Sequence, residues 1–268
     1  MLRFQLDLYA NIRPVFLQEG VQSVLRDKKT GQINYLIVRE NTEGLYAAHR
    51  SGIRRADLAI DPLVMSERGV RRIVKLAFDL SLKSSGSPVD GRKRVMCVDK
   101  SNVLRSYAFF REKFEDVAKD YPEVERSSMY VDAMTQYMLF NPHRLNVVVC
   151  ENFIGDILSD LGSATVGGLG LAGSANLGDR VALFEAVHGS APDIAGKGLA
   201  NPIAILYAAA QMLEWLELEQ AANLLRKTIS KVLGEGKVRT PDIGGSSTTR
   251  EVEETVSKTM MELLSTSP

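Results

Sequence analysis

The sequence predicts an α/β fold. Short β-branched runs, apolar stretches at helical spacing, and the alternation of the two along the chain carry that prediction. INYLIVRE, KRVMCVD, RSSMYVD and RLNVVVCEN are rich in Val, Ile and Tyr and read as buried strands. After the first of these, HRSGIRRADLAIDP is polar and reads as an exposed connection or hairpin. SERGVRRIVKLAFDLSLKSS then places apolar residues at helical spacing and stops near Gly86-Ser87-Pro88. SYAFFREKFEDVAKDYP reads as a second helix ended by Pro122. ENFIGDILSDLGSA reads as a helix following the last strand run. GGLGLAGSANLGDR, flowing into HGSAPDIAGKGLANP, is glycine-rich and reads as loop. NPIAILYAAAQMLEWLELEQAANLLRKTISKVL reads as one or two apolar helices, and REVEETVSKTMMELLSTS as an amphipathic C-terminal helix.

A chain of 268 residues suffices for one large or two small domains. Its 45% hydrophobic and 25% charged residues are ordinary for a globular protein. Lys+Arg equals Asp+Glu at 33 each, so no global field points to nucleic acid or an anionic membrane. No apolar run has the length of a membrane span, and MLRFQLDLYANIRP lacks a signal-peptide pattern. Cys97 and Cys150 each sit in a strand-like run and are expected to be buried and reduced, as in the cytoplasm.

Gly168, Gly170 and Gly173 form a literal G-x-G-x-x-G, with Asp193 about twenty residues on. The dinucleotide fingerprint needs a strand before it and a helix opening on its last glycine. Here a helix precedes and a loop follows, so the chain is not expected to be a Rossmann fold.

The acidic residues Asp132, Asp156 and Asp160 carry the chemistry. Asp156 and Asp160 are four apart on a helix, so their carboxylates share a face and repel. A hard divalent cation between them would relieve that repulsion, and Mg²⁺ favours a few carboxylates plus substrate oxygens; two hydrated aspartates on an exposed face are the plainer alternative. Arg3, Arg13 and Arg39 offer planar forks for carboxylates. Lys100 follows a strand and, near a metal or arginines, is a usable base. Tyr46 in ENTEGLY is a candidate proton donor. His188 is one of three histidines, too few at ligand spacing for zinc. There is no G-x-S-x-G and no P-loop.

Taken together, LR…DLYANIRP, VRENTEGLY, VDKSNVL, YVDAMTQYML, NFIGDILSDLGSATVGGLGL, HGSAPDIAGKGLANP and TPDIGG resemble the β-decarboxylating isocitrate/3-isopropylmalate dehydrogenase family. The matching segments span the chain in the family's order. The resemblance implies an isopropylmalate dehydrogenase-like two-domain fold. Residues 1–8 and 168–268 would belong to the large, cofactor-binding domain, and 9–167 to the small domain with the dimer interface. Family members carry roughly ninety further residues before the position of Met1, so the large domain is expected to be incomplete at its N-terminus, with exposed sheet edges and apolar faces.

It also implies roles. Arg3, Arg13 and Arg39 would clamp the substrate carboxylates. Asp156 and Asp160, with Asp132 from a partner subunit, would hold Mg²⁺ or Mn²⁺. Tyr46 and Lys100, the latter again from the partner, would be the acid–base pair. A homodimer or higher homo-oligomer is then the expected assembly. Glu185, His188, Gly189, Ser190, Ala191, Asp193 and Asn201 would bind the cofactor. Asp193 suits a free ribose 2′-hydroxyl, so NAD is expected. The expected reaction is oxidative decarboxylation of a 2-hydroxy di- or tricarboxylate.

DKSNVL leans toward 3-isopropylmalate as substrate; ENTEGLY and GGLGLAGSANLG lean toward isocitrate, homoisocitrate or tartrate. The expectation is 3-isopropylmalate, with those acids as alternatives. An inactive fragment or regulatory subunit is the alternative of another class. Gly173 stands where relatives usually carry proline, and is expected to loosen that loop.

Overall fold

In the computed structural model, residues 2–48 and 52–266 are described. The elements run α1 (Leu2–Gln5), β1 (Ala10–Phe16), β2 (Asn34–Glu40), β3 (Ile53–Arg54), β4 (Ala59–Ile60), α2 (Glu67–Lys83), β5 (Arg94–Asp99), α3 (Arg105–Ala118), β6 (Glu125–Tyr130), α4 (Val131–Phe140), β7 (Val147–Cys150), α5 (Asn152–Thr165), β8 (Gly173–Leu177), β9 (Ala182–Ala186), α6 (Ile203–Trp215), α7 (Glu219–Glu235) and α8 (Thr249–Thr266). A seven-stranded sheet has the order β6-β5-β7-β2-β1-β8-β9, and β3 pairs antiparallel with β4 as a small exposed ladder. His49, Arg50 and Ser51, at the start of the expected hairpin, lie outside the described residues.

The chain forms two compact units. The first comprises residues 1–13, 34–161 and 176–183. Its β2, β5 and β7 are parallel neighbours, and Ile37, Val38, Val95, Val98 and Val147–Val149 are buried along them. Strands covered on both faces read as continuous apolar runs, which is why these were legible. Helices α2 and α3 cover the sheet with Val70, Ile73, Val74, Phe78, Phe110 and Phe114. Phe78 stacks on Phe114 at 5.6 Å and on Tyr121 at 4.8 Å between ring centroids; emptying such a site typically costs about 3–5 kcal/mol. Ser66 caps α2, accepting from the Gly69 N–H at 3.0 Å. Helix α3 ends at Ala118, before Pro122.

The second unit comprises residues 14–33, 162–175 and 184–268. Its core joins α6, α7 and α8 through Ile203, Ala210, Leu225, Ile229, Val232, Leu233, Val252 and Val256. Residues 14–33 and 162–175 group with this unit, and residues 1–13 and 176–183 with the first.

Several expectations are corrected. β6 was expected to be buried, but it is a largely exposed edge strand. The glycine-rich stretch read as loop contains β8, and β9 lies between its two segments. Gly173 is buried at the start of β8. A Cβ there would meet the Ala208 nitrogen at 2.6 Å and the Ala204 oxygen at 2.8 Å, so the missing side chain lets α6 pack directly on β8. The G-x-G-x-x-G follows α5 and its last glycine, Gly173, opens β8, so a helix precedes it and a strand follows, the reverse of the dinucleotide arrangement. Among the described residues no helix is long and apolar enough to cross a membrane.

Candidate active site

The parallel ladder places the candidate residues at the carboxyl ends of strands, where open α/β sheets bind ligands. Arg39 lies opposite Cys150, at the end of β7, and α5 opens two residues later at Asn152. Arg39 is therefore delivered to the first turn of α5. Its Nε donates to Asn152 Oδ1 at 2.9 Å and its Nη1 to Asp156 Oδ1. Only 2% of Arg39 is exposed. Gly155 makes room for its stem: a Cβ there would meet Arg39 Cγ at 2.6 Å.

Arg13, on β1, reaches the same helix. Its Nη1 donates to Ser159 Oγ at 2.5 Å and Asp160 Oδ1 at 3.2 Å, and its Nη2 lies 3.5 Å from Asp156 Oδ1. The Asp156–Asp160 pair is thus not bare. Arginines already offset part of the repulsion that suggested a metal, and that electrostatic argument is weaker than the spacing implied. Burial, then the charge of Arg39, pulls Arg13 below the usual arginine range. Burial does the same to Arg39, with Asp156 opposing and Arg3 adding to the effect. Three guanidiniums close enough to oppose one another's charge form an anion-accepting site.

Tyr46 donates from its hydroxyl to Asp156 Oδ2 at 3.2 Å and meets Phe153 edge-on at 6.0 Å. Partial burial, then the Asp156 charge, raises its pKa, which keeps it a proton donor. Its loop is fixed by a residue the sequence reading missed. Glu151, 1% exposed, accepts from Leu45 N at 2.9 Å, Phe153 N at 3.0 Å, Ile154 N at 3.2 Å and Tyr107 Oη at 2.8 Å. It thereby caps α5 and holds the Tyr46 loop. Glu40, buried at the end of β2, accepts from the Thr42 and Glu43 amides. Burial pushes its pKa up to about 7 despite those donors. The available signal was an acid at the end of an apolar strand run: Glu151 directly after Cys150, and Glu40 beyond Val38 with Arg39 between them.

Lys100 and Asp132 form a second group. The β5–β6 register sets Asp99 opposite Tyr130, so the residues just beyond each strand meet. Lys100 Nζ donates to Asp132 Oδ1 at 2.5 Å, and the ammonium holds that carboxyl below its usual range. Asp99, fully buried, takes both Arg111 forks at 2.7 and 2.9 Å and the Ser101 amide at 2.8 Å, fixing the turn that carries Lys100. Among the described residues, no ion pair links this group to Asp156 or Asp160.

The candidate cofactor residues lie in the second unit. His188, Gly189, Ser190, Ala191 and Asp193 are exposed on a loop with a 3₁₀ turn at Pro192–Ile194, entered through Ala191 at φ 42°. His188 Nδ1 is 2.8 Å from the Gly189 carbonyl. The loop's far end is tied to the start of α8: Thr249 N and Oγ1 donate to Gly198 O at 2.8 Å and Ala200 O at 2.6 Å. Glu185 is half-buried on β9. Asn201 is buried, with its amide on Asp242 at 3.0 Å and its oxygen accepting from Ile203 N at 3.0 Å, so its side chain holds the start of α6.

The donors suit the implied groups. Asp156 and Asp160 offer oxygen only, their side chains are 37% and 55% exposed, and both lie within reach of one guanidinium. Two carboxylates with room for substrate oxygens match a hard divalent cation. Among the described residues no three acidic, His or Cys groups converge as a metal site. Asp193 presents an exposed acceptor without a hydrogen-bond or ion-pair partner among the described residues, as a ribose hydroxyl requires.

A profile of the isocitrate/isopropylmalate dehydrogenase family matches residues 1–257. The chain belongs to that family. It is 44% identical to the 3-isopropylmalate/3-methylmalate dehydrogenase of Methanocaldococcus jannaschii, over 97% of this chain and 76% of that protein. It is 42% identical to the isocitrate/homoisocitrate dehydrogenase of Thermus thermophilus, over 98% of this chain and 74% of that one. Among solved structures it resembles isocitrate dehydrogenase from Methylococcus capsulatus, with TM-score 0.88 and 40% identity, covering 97% of this chain and 75% of that chain. As a family member the chain is an oxidoreductase with the isocitrate dehydrogenase-like α/β fold, and it spans about three-quarters of these relatives' length.

Proposed function

We propose that the chain oxidatively decarboxylates a malate-type 2-hydroxy acid with NAD and Mg²⁺ or Mn²⁺, and that the acid is 3-isopropylmalate. The observation that carries this reading is the convergence of Arg13 and Arg39 on Tyr46, Asp156 and Asp160, with Arg3 beside them. The three guanidiniums grip the substrate carboxylates. Asp156 and Asp160 hold the cation, which when bound supplies a Lewis acid at the substrate's 2-oxygen. A second copy of the chain contributes Asp132 and Lys100, so the smallest working unit is a homodimer. His188 through Asp193, with Glu185 and Asn201, bind NAD, which supplies the hydride acceptor. The exposed Asp193 accepts from the ribose 2′-hydroxyl and repels a 2′-phosphate.

Lys100, directly or through water, takes the substrate hydroxyl proton. Oxidation leaves a ketone β to a carboxylate, so CO₂ departs. Tyr46, held protonated by its raised pKa, then gives its proton to the enol carbon. The buried free Cys97 and Cys150 suit a reducing, cytoplasmic setting. The Methanocaldococcus jannaschii relative supports 3-isopropylmalate, while the Thermus thermophilus relative makes isocitrate and homoisocitrate the alternatives to test. Steady-state rates with 3-isopropylmalate, isocitrate, homoisocitrate and tartrate test the choice. The highest kcat/KM is expected on 3-isopropylmalate; turnover of isocitrate without 3-isopropylmalate would overturn it.

A further inference from the structure

Three asparagines connect two of the substrate arginines through the interior of the first unit. Asn11, Asn41 and Asn176 are 2%, 0% and 1% exposed. Arg13 Nε donates to Asn11 Oδ1 at 2.7 Å, and Arg3 Nη1 donates to Asn41 Oδ1 at 3.0 Å. A guanidinium only donates, so each asparagine must turn its oxygen to its arginine. Each amide nitrogen then points inward, and both reach one atom: Asn11 Nδ2 and Asn41 Nδ2 each donate to Asn176 Oδ1 at 3.0 Å. The second hydrogen of Asn41 goes to Leu8 O at 3.0 Å, and Asn176 Nδ2 donates to Leu183 O at 3.3 Å. The donors run one way from each arginine, and the two arms meet on a single side-chain oxygen, Asn176 Oδ1.

We propose that Asn176 is a positioning residue for the substrate site: its side-chain oxygen fixes the orientation of Asn11 and Asn41 and so aims Arg13 and Arg3 together. This rests on the reading that these arginines bind the substrate carboxylates. Without the Asn176 oxygen, the buried Asn11 amide loses its acceptor and the Asn41 amide keeps only Leu8 O, so both side chains are freer to swing their oxygens out of line with Arg13 and Arg3. The arginines then lose a common frame. Because they grip carboxylates that are present in the ground state and still in place when hydride leaves, the loss falls on KM more than on kcat.

Arg39 supplies an internal control. Its Nε is held by Asn152, outside the asparagine relay. Hydrogen exchange of arginine Nε–H groups in ¹⁵N-arginine-labelled full chain separates positioning from general loosening. In Asn176→Ala, exchange at Arg13 Nε–H is expected to speed up about tenfold or more, with Arg39 Nε–H unchanged. Asn176→Asp keeps an acceptor for both amides and is expected to restore protection at Arg13; it is also the variant to use if the alanine protein does not fold. With 2-hydroxy acid substrate, Asn176→Ala is expected to raise KM about tenfold with kcat within about twofold, and Asn176→Asp to recover part of that loss. Unchanged Arg13 exchange, equal acceleration at Arg39, or no protection in Asn176→Asp would each overturn the proposal. If the wild-type chain turned over no 2-hydroxy acid, the substrate reading would fail, while the exchange comparison would still decide the relay.

Discussion

Replacing Glu151 by alanine removes the acceptor that caps α5 and holds the Tyr46 loop. The carboxylate is 1% exposed and serves Leu45 N, Phe153 N, Ile154 N and Tyr107 Oη at 2.8–3.2 Å. A buried donor left unpaired costs about 1–3 kcal/mol. Water entering the space would serve some of the four, so the expected loss is about 3–5 kcal/mol rather than their full sum. Glu151→Gln keeps one acceptor oxygen and should fall between. Urea unfolding followed by far-UV circular dichroism measures the loss. Trp215, on α6 of the second unit, is the chain's one tryptophan and gives a separate fluorescence signal from a region Glu151 does not touch. Amide exchange at Leu45 should accelerate in parallel. A loss below about 1 kcal/mol, or an unchanged Leu45 amide, would mean that Glu151 does not organise the loop, and the account of how Tyr46 is held would fail.

Glu40 gives stability a pH dependence. Its folded pKa of about 7 lies above its ordinary 4.5, so its contribution is full below 4.5 and is lost as pH rises through about 7. Urea unfolding at about pH 5 and about pH 8 should show a fall of up to about 3 kcal/mol that Glu40→Gln abolishes; an equal slope in the variant refutes the assignment. Asp156→Asn should lower Mg²⁺-dependent kcat by at least about 100-fold, and unchanged metal dependence in a Mg²⁺ titration would remove Asp156 as a ligand. Asp193→Lys should lower the NAD-to-NADP ratio of kcat/KM by about tenfold or more, each tenfold being about 1.4 kcal/mol; an unaltered ratio removes Asp193 from cofactor choice.

The buried parallel strands were legible because both faces are covered and their side chains form unbroken apolar runs. β1 was not, because Arg13 and Pro14 interrupt it. Nor was β8, where Gly173-Ser174-Ala175 carry no β signal and Gly173 leaves no room for a side chain against α6. RSSMYVD was recognised as a strand but placed in the interior, since pairing partners are not written in a strand's own sequence. Arg13, Arg39, Tyr46, Asp156 and Asp160 were legible as residues, and the structure gathers them. The structure also supplied what the sequence could not show: the arginines already offset part of the aspartate pair's repulsion, Glu151 anchors the Tyr46 loop, and Asn176 accepts from both Asn11 and Asn41. Asn176 pairs with Asn11 and Asn41 across 165 and 135 residues, separations that no local pattern encodes.

The most direct measurement of the central claim is simultaneous detection of NADH and CO₂ from the purified chain given 3-isopropylmalate, NAD and Mg²⁺. The expected result is one CO₂ for each NADH, with both lost on chelating the metal. NADH without CO₂, or neither product from any of the four acids, would contradict it.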